Sequence, residues 1–206
     1  MGEMLVGPRQ VNDADFSGGR AARTGEALVG MIHPRFYEQA KRGNLYSGHT
    51  AVTGVAPGTA IGTTAAFALY NPAGSGFDLV MMQADMSYLS GTLGIGFVSY
   101  VGHLNPAQAA ITGTAIPVVN GKVSGAAGVG KPLTTATVPA SGSPFRLFAN
   151  LPPILASSVV TPWRFTDVID GAIVIPPGCG VSLQATAAAG TAPLVLYGVT
   201  WEEVPI

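Results

Sequence analysis

The stretch "FDLVMMQADMSYL", residues 77–89, decides the fold class of this chain. Read with a period of two, Val80, Met82, Ala84, Met86 and Tyr88 fall on one face. The other face carries Leu79, Met81, Gln83, Asp85 and Ser87 and turns polar toward its end. That alternation is the pattern of a β-strand. It returns in "LGIGFVSYV" (93–101), where Leu93, Ile95, Phe97 and Val101 share a face. In "GVSLQAT" (180–186), Val181, Leu183 and Ala185 alternate with Ser182, Gln184 and Thr186, which predicts a half-buried sandwich strand.

Outward from these segments, further strands are expected at 60–70, 112–119, 144–149, 170–175 and 193–203, divided by Gly, Pro, Ser and Asn turns. Strands joined by turns, with no helices between them, pair antiparallel and close a sandwich or barrel. With about eight strands, the expected fold is an all-β, antiparallel, jelly-roll-like sandwich. No repeat of fixed period is visible, which argues against propellers and solenoids.

The beginning of the chain reads differently. Residues 1–45 hold six of the ten basic and five of the eleven acidic side chains. The first thirty residues show no sustained period and predict an extended arm. In "HPRFYEQAKRG" (33–43), Pro34 suits a first helical position, Glu38 can pair with Arg42, and Gly43 suits a left-handed cap. The expected organisation is an arm and short helix over 1–45, followed by a sandwich domain over 46–206.

Charge is otherwise scarce. Ionisable Asp, Glu, Lys and Arg make up 10% of the chain, with net charge −1, against about a quarter in ordinary soluble domains. No charged residue stands between Asp85 and Lys122. Such a surface predicts cover by copies of the chain or by another protein. Residues 86–102 lack charge over nearly the length of a membrane span, yet Gly91, Gly94, Gly96 and three serines interrupt them, so no membrane is expected. The opening "MGEMLVGPRQVND" has no basic start before an apolar run, so no signal peptide is expected either.

Chemical motifs are few. "GAAGVGKP" (125–132) has the glycine-lysine frame of a phosphate loop, but Pro132 stands where a magnesium-binding hydroxyl is required. A broken "VVNGKVSG" precedes it and a poor helix former follows, so it is expected to be a loop without nucleotide. His33, His49 and His103 have no metal-site spacing, and the lone Cys179 builds no disulfide or thiolate cage. Asp167 and Asp170 are expected in a turn, and the adjacent Glu202 and Glu203 on opposite faces of a strand, so neither carboxylate pair forms an active site. No enzyme, cofactor or metal is expected. The cations Arg9, Arg20, Arg23, Arg35, Lys41 and Arg42 are interleaved with acids, so no basic stripe for specific nucleic-acid binding accumulates.

Three stretches, "HPRFYEQAKRGNLYSG" (33–48), "LYNPAGSGFDLVMMQADMSY" (69–88) and "IVIPPGCGVSLQATAAAGTAPLVLYGVTWEEV" (173–204), resemble a family of small bacteriophage virion structural proteins. The likeness covers about a third of the chain directly, and none of its motifs is catalytic. It implies a place in the virion, with particle assembly in the bacterial host cytoplasm. The expected function is a capsid decoration or cement protein that forms homo-oligomers, trimers favoured, and binds the major capsid protein or neighbouring virion proteins. Contacts are expected from Arg20, Arg23, Arg35, Phe36, Tyr37, Lys41 and Arg42, since arginine and aromatics dominate interface energies. The alternative for Phe36 and Tyr37 is packing of the helix on its own sandwich. The alternative function is a tail-associated or fibre protein that binds host surface glycan through aromatics near turns, with Tyr46, Tyr70, Tyr100 and Trp163 as candidates.

Overall fold

The computed structural model describes residues 34–104, 110–139, 142–155, 163–186 and 190–206. The chain divides after Glu38 into a short leading unit and a unit from Gln39 to Ile206. Helix α1 (Tyr37–Arg42) has Glu38 in its first turn and Lys41 and Arg42 in its last, where they complement the helix dipole. Gly43 ends it at φ 80°.

Eleven strands follow among the described residues: β1 (Leu45–His49), β2 (Thr64–Tyr70), β3 (Phe77–Ser90), β4 (Gly96–His103), β5 (Thr112–Ala115), β6 (Val118–Asn120), β7 (Lys131–Thr137), β8 (Ser143–Leu151), β9 (Arg164–Ile175), β10 (Gly180–Thr186) and β11 (Leu194–Pro205). They form two antiparallel sheets, in the orders β6-β1-β11-β3-β9 and β5-β7-β2-β10-β4-β8. Setting β5, β6 and β7 aside, the remaining eight strands change sheet at every connection except the one from β4 to β8. That is the jelly-roll order, and the all-β sandwich expected from the alternation is the fold observed. Two strands have no counterpart in the expected set: β1, and β7, whose Pro132 demotes it when read as a sequence.

The segment between β4 and β8 returns to the opposite side of the sandwich. There β6 extends one sheet beside β1, while β7 and β5 extend the other beside β2. The expected single strand over 112–119 is therefore two, β5 and β6, in different sheets. The chain crosses between the layers at Ile116 and Pro117.

The core lies between the sheets, where Phe67, Leu69, Leu79, Met81, Met86, Tyr100, Leu183, Tyr197 and Trp201 are almost wholly buried. The assignment of Leu79 and Met81 to the face opposite Ala84 and Met86 does not hold. All four are buried in this core, because the register on β9 and on β11 skips Met82. One extra residue in a strand inverts the parity of everything beyond it. Of the expected face, Leu93 and Val101 are buried but Ile95 and Phe97 are exposed, and the residues β4 adds to the core between the sheets are Val98 and Tyr100.

β10 is buried on both sides rather than one. Its polar row is covered through a hydrogen-bonded chain. Gly62 N–H donates to Gln184 Oε1 (2.8 Å), Gln184 Nε2 donates to Ser182 Oγ (2.9 Å), and Ser182 Oγ pairs with His103 Nε2 (2.8 Å). Beside it, Ala65, Ala68, Tyr70, Ile111, Leu133, Ala136 and Val138 make a second, smaller apolar cluster. Burial pushes the His103 imidazole below its ordinary pKa.

Candidate functional site

The glycine-rich loop holds an anion, and the anion is the chain's own. Glu203 on β11 is only 4% exposed. Val129 N–H donates to both its carboxylate oxygens (2.8 and 3.0 Å), Gly130 N–H to Oε1 (2.8 Å) and Trp201 Nε1 to Oε1 (3.2 Å). A Cβ at Gly128 would stand 2.6 Å from Glu203 Oε1, and one at Gly130 2.8 Å from Trp201 Nε1. The glycines are thus required by close approach, and successive N–H groups form a nest as they would around phosphate. Lys131 opens β7 as an exposed residue and Pro132 lies buried behind it. Glu202 faces the other way, half-buried, and burial pushes its carboxyl up against the opposing charge of Arg42.

Asp167 and Asp170 lie within β9, not in a turn. The sequence "TDVIDG" reads as a turn because it bulges: Asp170 and Gly171 have φ of 56° and 83° inside a strand that continues on both sides. Asp167 accepts from Arg146 Nη2 (2.8 Å) and Nε (3.1 Å), and from the Tyr100 hydroxyl (3.0 Å). This fork joins β8 of one sheet to β9 of the other. Burial and the Asp167 charge keep the Tyr100 phenol protonated far beyond its ordinary range. On the outer face of the other sheet, Asp85 accepts from Arg164 (2.7 Å), Thr166 (2.6 Å) and Gln83 (2.9 Å). Burial opposes its charge, but these donors outweigh it and hold the Asp85 carboxyl below its usual value. The two ion pairs and Glu203 absorb five of the ten charges that the sequence places after residue 45.

Of the expected contact residues, Arg20 and Arg23 lie outside the described residues. The Arg35 guanidinium sits 5.3 Å from the Phe36 ring centre, a cation–π pair. Tyr37, Lys41 and Arg42 are exposed along α1. Three of the four aromatics proposed for glycan do not stand at the surface, and Trp163 is half-buried. Tyr46, Tyr70 and Tyr100 are buried, Tyr46 stacked on Trp201 at 6.0 Å, and the Trp163 ring is tilted against Phe165 at 5.0 Å.

The exposed apolar surface lies where sequence reasoning did not place it. On the edge strand β8, Phe145 is 53% and Leu147 66% exposed. Beside them an apolar groove of about 360 Å³ runs between Leu104, Phe145, Val174 and Cys179. The signal was present in "SPFRLFANL", where large apolar residues occupy both parities, the mark of a strand with two faces to cover.

A second depression, of about 550 Å³, lies over the outer face of the sheet containing β1 and β11 and is also lined by Thr114, Ala115 and Thr134 from β5 and β7 of the other sheet. Two rows of side chains make its floor. His49, Gly198 and Asp85 stand side by side across β1, β11 and β3, and Val119, Ser47 and Thr200 form the next row across β6, β1 and β11. Ser47 Oγ and Thr200 Oγ1 are 3.0 Å apart.

No family model, curated protein or solved structure matches this chain.

Proposed function

We propose that this chain is a structural component of a bacteriophage virion, a decoration protein that binds and stabilises the capsid shell as a homo-oligomer. Jelly rolls serve lectins and cupins as well as viral shells, so fold alone does not choose among them. The surface carries the choice. An edge strand with Phe145 and Leu147 exposed, flanked by an apolar groove, stands on a sandwich whose charges are few and half of them taken up by its own ion pairs and the Glu203 cradle. An edge of this kind is an association surface unless it is covered. Contact with a neighbour would bury it, and closed symmetry would multiply the burial around a ring. A protein that binds the assembled shell and not its dispersed subunits stabilises the shell by mass action.

The test is the state of the purified chain and its affinity for particles. Light scattering should give a closed oligomer, and sedimentation with phage heads should recover the chain in the particle fraction. A monodisperse, highly soluble monomer that binds neither heads nor tails refutes the reading. Binding to tails alone moves the chain to the other end of the particle and refutes the decoration role.

A further inference from the structure

We propose that the depression over Gly198 is a saccharide-binding site, a property independent of where in a particle the chain resides. Gly198 sits inside the long central strand β11, where glycine weakens a sheet and a β-branched residue would strengthen it. Packing does not require it. A methyl group there would meet His49 Cβ at 3.7 Å and Asp85 Cβ at 3.9 Å, both ordinary contacts, and its φ is not in the left-handed region. Gly48 differs: a Cβ at that position would press on Pro132 Cγ at 3.0 Å. The missing side chain at 198 instead leaves a notch open to solvent between an imidazole and a carboxylate. The register through Gly198 is unbroken, so no bulge calls for it, and a strand glycine without bulge, bend or packing contact suits a site where a ligand approaches the backbone closely.

The groups around the notch define the chemistry. His49 Nδ1 donates to the Thr50 carbonyl (2.7 Å), so in the neutral ring Nε2 is left as an acceptor. Asp85 Oδ2 takes one protein donor, Gln83, and retains acceptor capacity. The Ser47 and Thr200 hydroxyls share one hydrogen bond, which leaves one hydroxyl proton to donate outward. Val119, well exposed at the end of that row, and Pro117 supply an apolar wall. Hydroxyl-bearing rings with apolar C–H faces satisfy such a mixture of acceptors, a donor and a wall. The Asp85 charge disfavours phosphate and sulfate, and its Arg164 partner removes most of the attraction for cations.

Saturation-transfer NMR on the purified full chain tests this, with the methyl glycosides of glucose, galactose, mannose, N-acetylglucosamine and N-acetylgalactosamine as probes. At least one should receive transfer from the protein. Gly198→Val should fold with equal or higher thermal stability and bind that glycoside at least about tenfold more weakly, because its side chain fills the notch. If circular dichroism shows that variant unfolded, the double variant Ser47→Ala with Thr200→Val, which removes both hydroxyls and with them the outward donor, is read in the same way. No transfer to any probe overturns the proposal, and so does unchanged binding in the folded variant.

Discussion

Replacing Glu203 by alanine removes the acceptor from two buried donors, Gly130 N–H and Trp201 Nε1–H, and from the part-buried Val129 N–H. Each hydrogen bond to a charged group contributes about 1.5–3 kcal/mol, and an orphaned buried donor costs about 1–3 kcal/mol. The carboxylate's own desolvation offsets part of this in the native protein. The loop can also relax enough for water to reach one N–H. A net loss of about 3–4 kcal/mol follows, a large share of the roughly 5–15 kcal/mol by which domains are stable. In a chain of this size that lowers Tm by about 6–16 °C. Glu203→Gln keeps one acceptor oxygen but turns an NH₂ toward a backbone donor, so about 2 kcal/mol is expected. Urea denaturation with tryptophan fluorescence is the appropriate assay, since Trp201 reports on the loop directly. A loss below about 1 kcal/mol for Glu203→Ala would show that the loop is not held by this carboxylate. Binding of ATP by the unaltered chain would refute the same reasoning from the other side, because the cradle is already filled.

Tyr197 is fully buried and its hydroxyl has no hydrogen-bond partner among the described residues. Tyr197→Phe should therefore be neutral or stabilising by about 1 kcal/mol in a thermal melt; a clear loss would reveal a partner. Asp167→Ala strands the Arg146 guanidinium and the Tyr100 hydroxyl at the seam between the sheets, and should cost about 3 kcal/mol, discounted from a fully buried pair because Arg146 is partly exposed. His103 has a folded pKa below its unfolded one, so the unfolded chain takes up the proton first. Stability is full above the unfolded value of about 6.5 and falls as pH drops through the window down to the folded pKa, a slope that His103→Gln should remove. Phe145→Lys with Leu147→Lys should leave the melting curve within about 1 kcal/mol of the parent while shifting light scattering toward monomer. An unchanged oligomer would place the interface elsewhere.

The period-two alternation sufficed for fold class because side-chain direction in a strand is a local property. Each of β3, β4 and β10 could be recognised without knowing its neighbours. Turn chemistry was equally local. "NPAGSG" closes between β2 and β3 with Gly74 and Gly76 at φ 73° and 76°, and Asn71 donates its amide to the Phe77 carbonyl six residues on. The opposed directions of Glu202 and Glu203 also follow from adjacency alone.

What required the tertiary structure was everything set by partners distant in sequence. The skip at Met82, which turns Leu79 and Met81 inward, arises from register against β9 and β11, more than eighty residues away. Burial of Ser182 and Gln184 depends on cover from Gly62 and His103. Nothing in "GAAGVGKP" announces that its anion is a glutamate seventy-three residues further on. The notch at Gly198 exists only because β1, β11 and β3 lie in that order, placing His49 and Asp85 on either side of a residue that has no side chain. Local pattern says which way a side chain points; pairing across the sheets decides what it meets there.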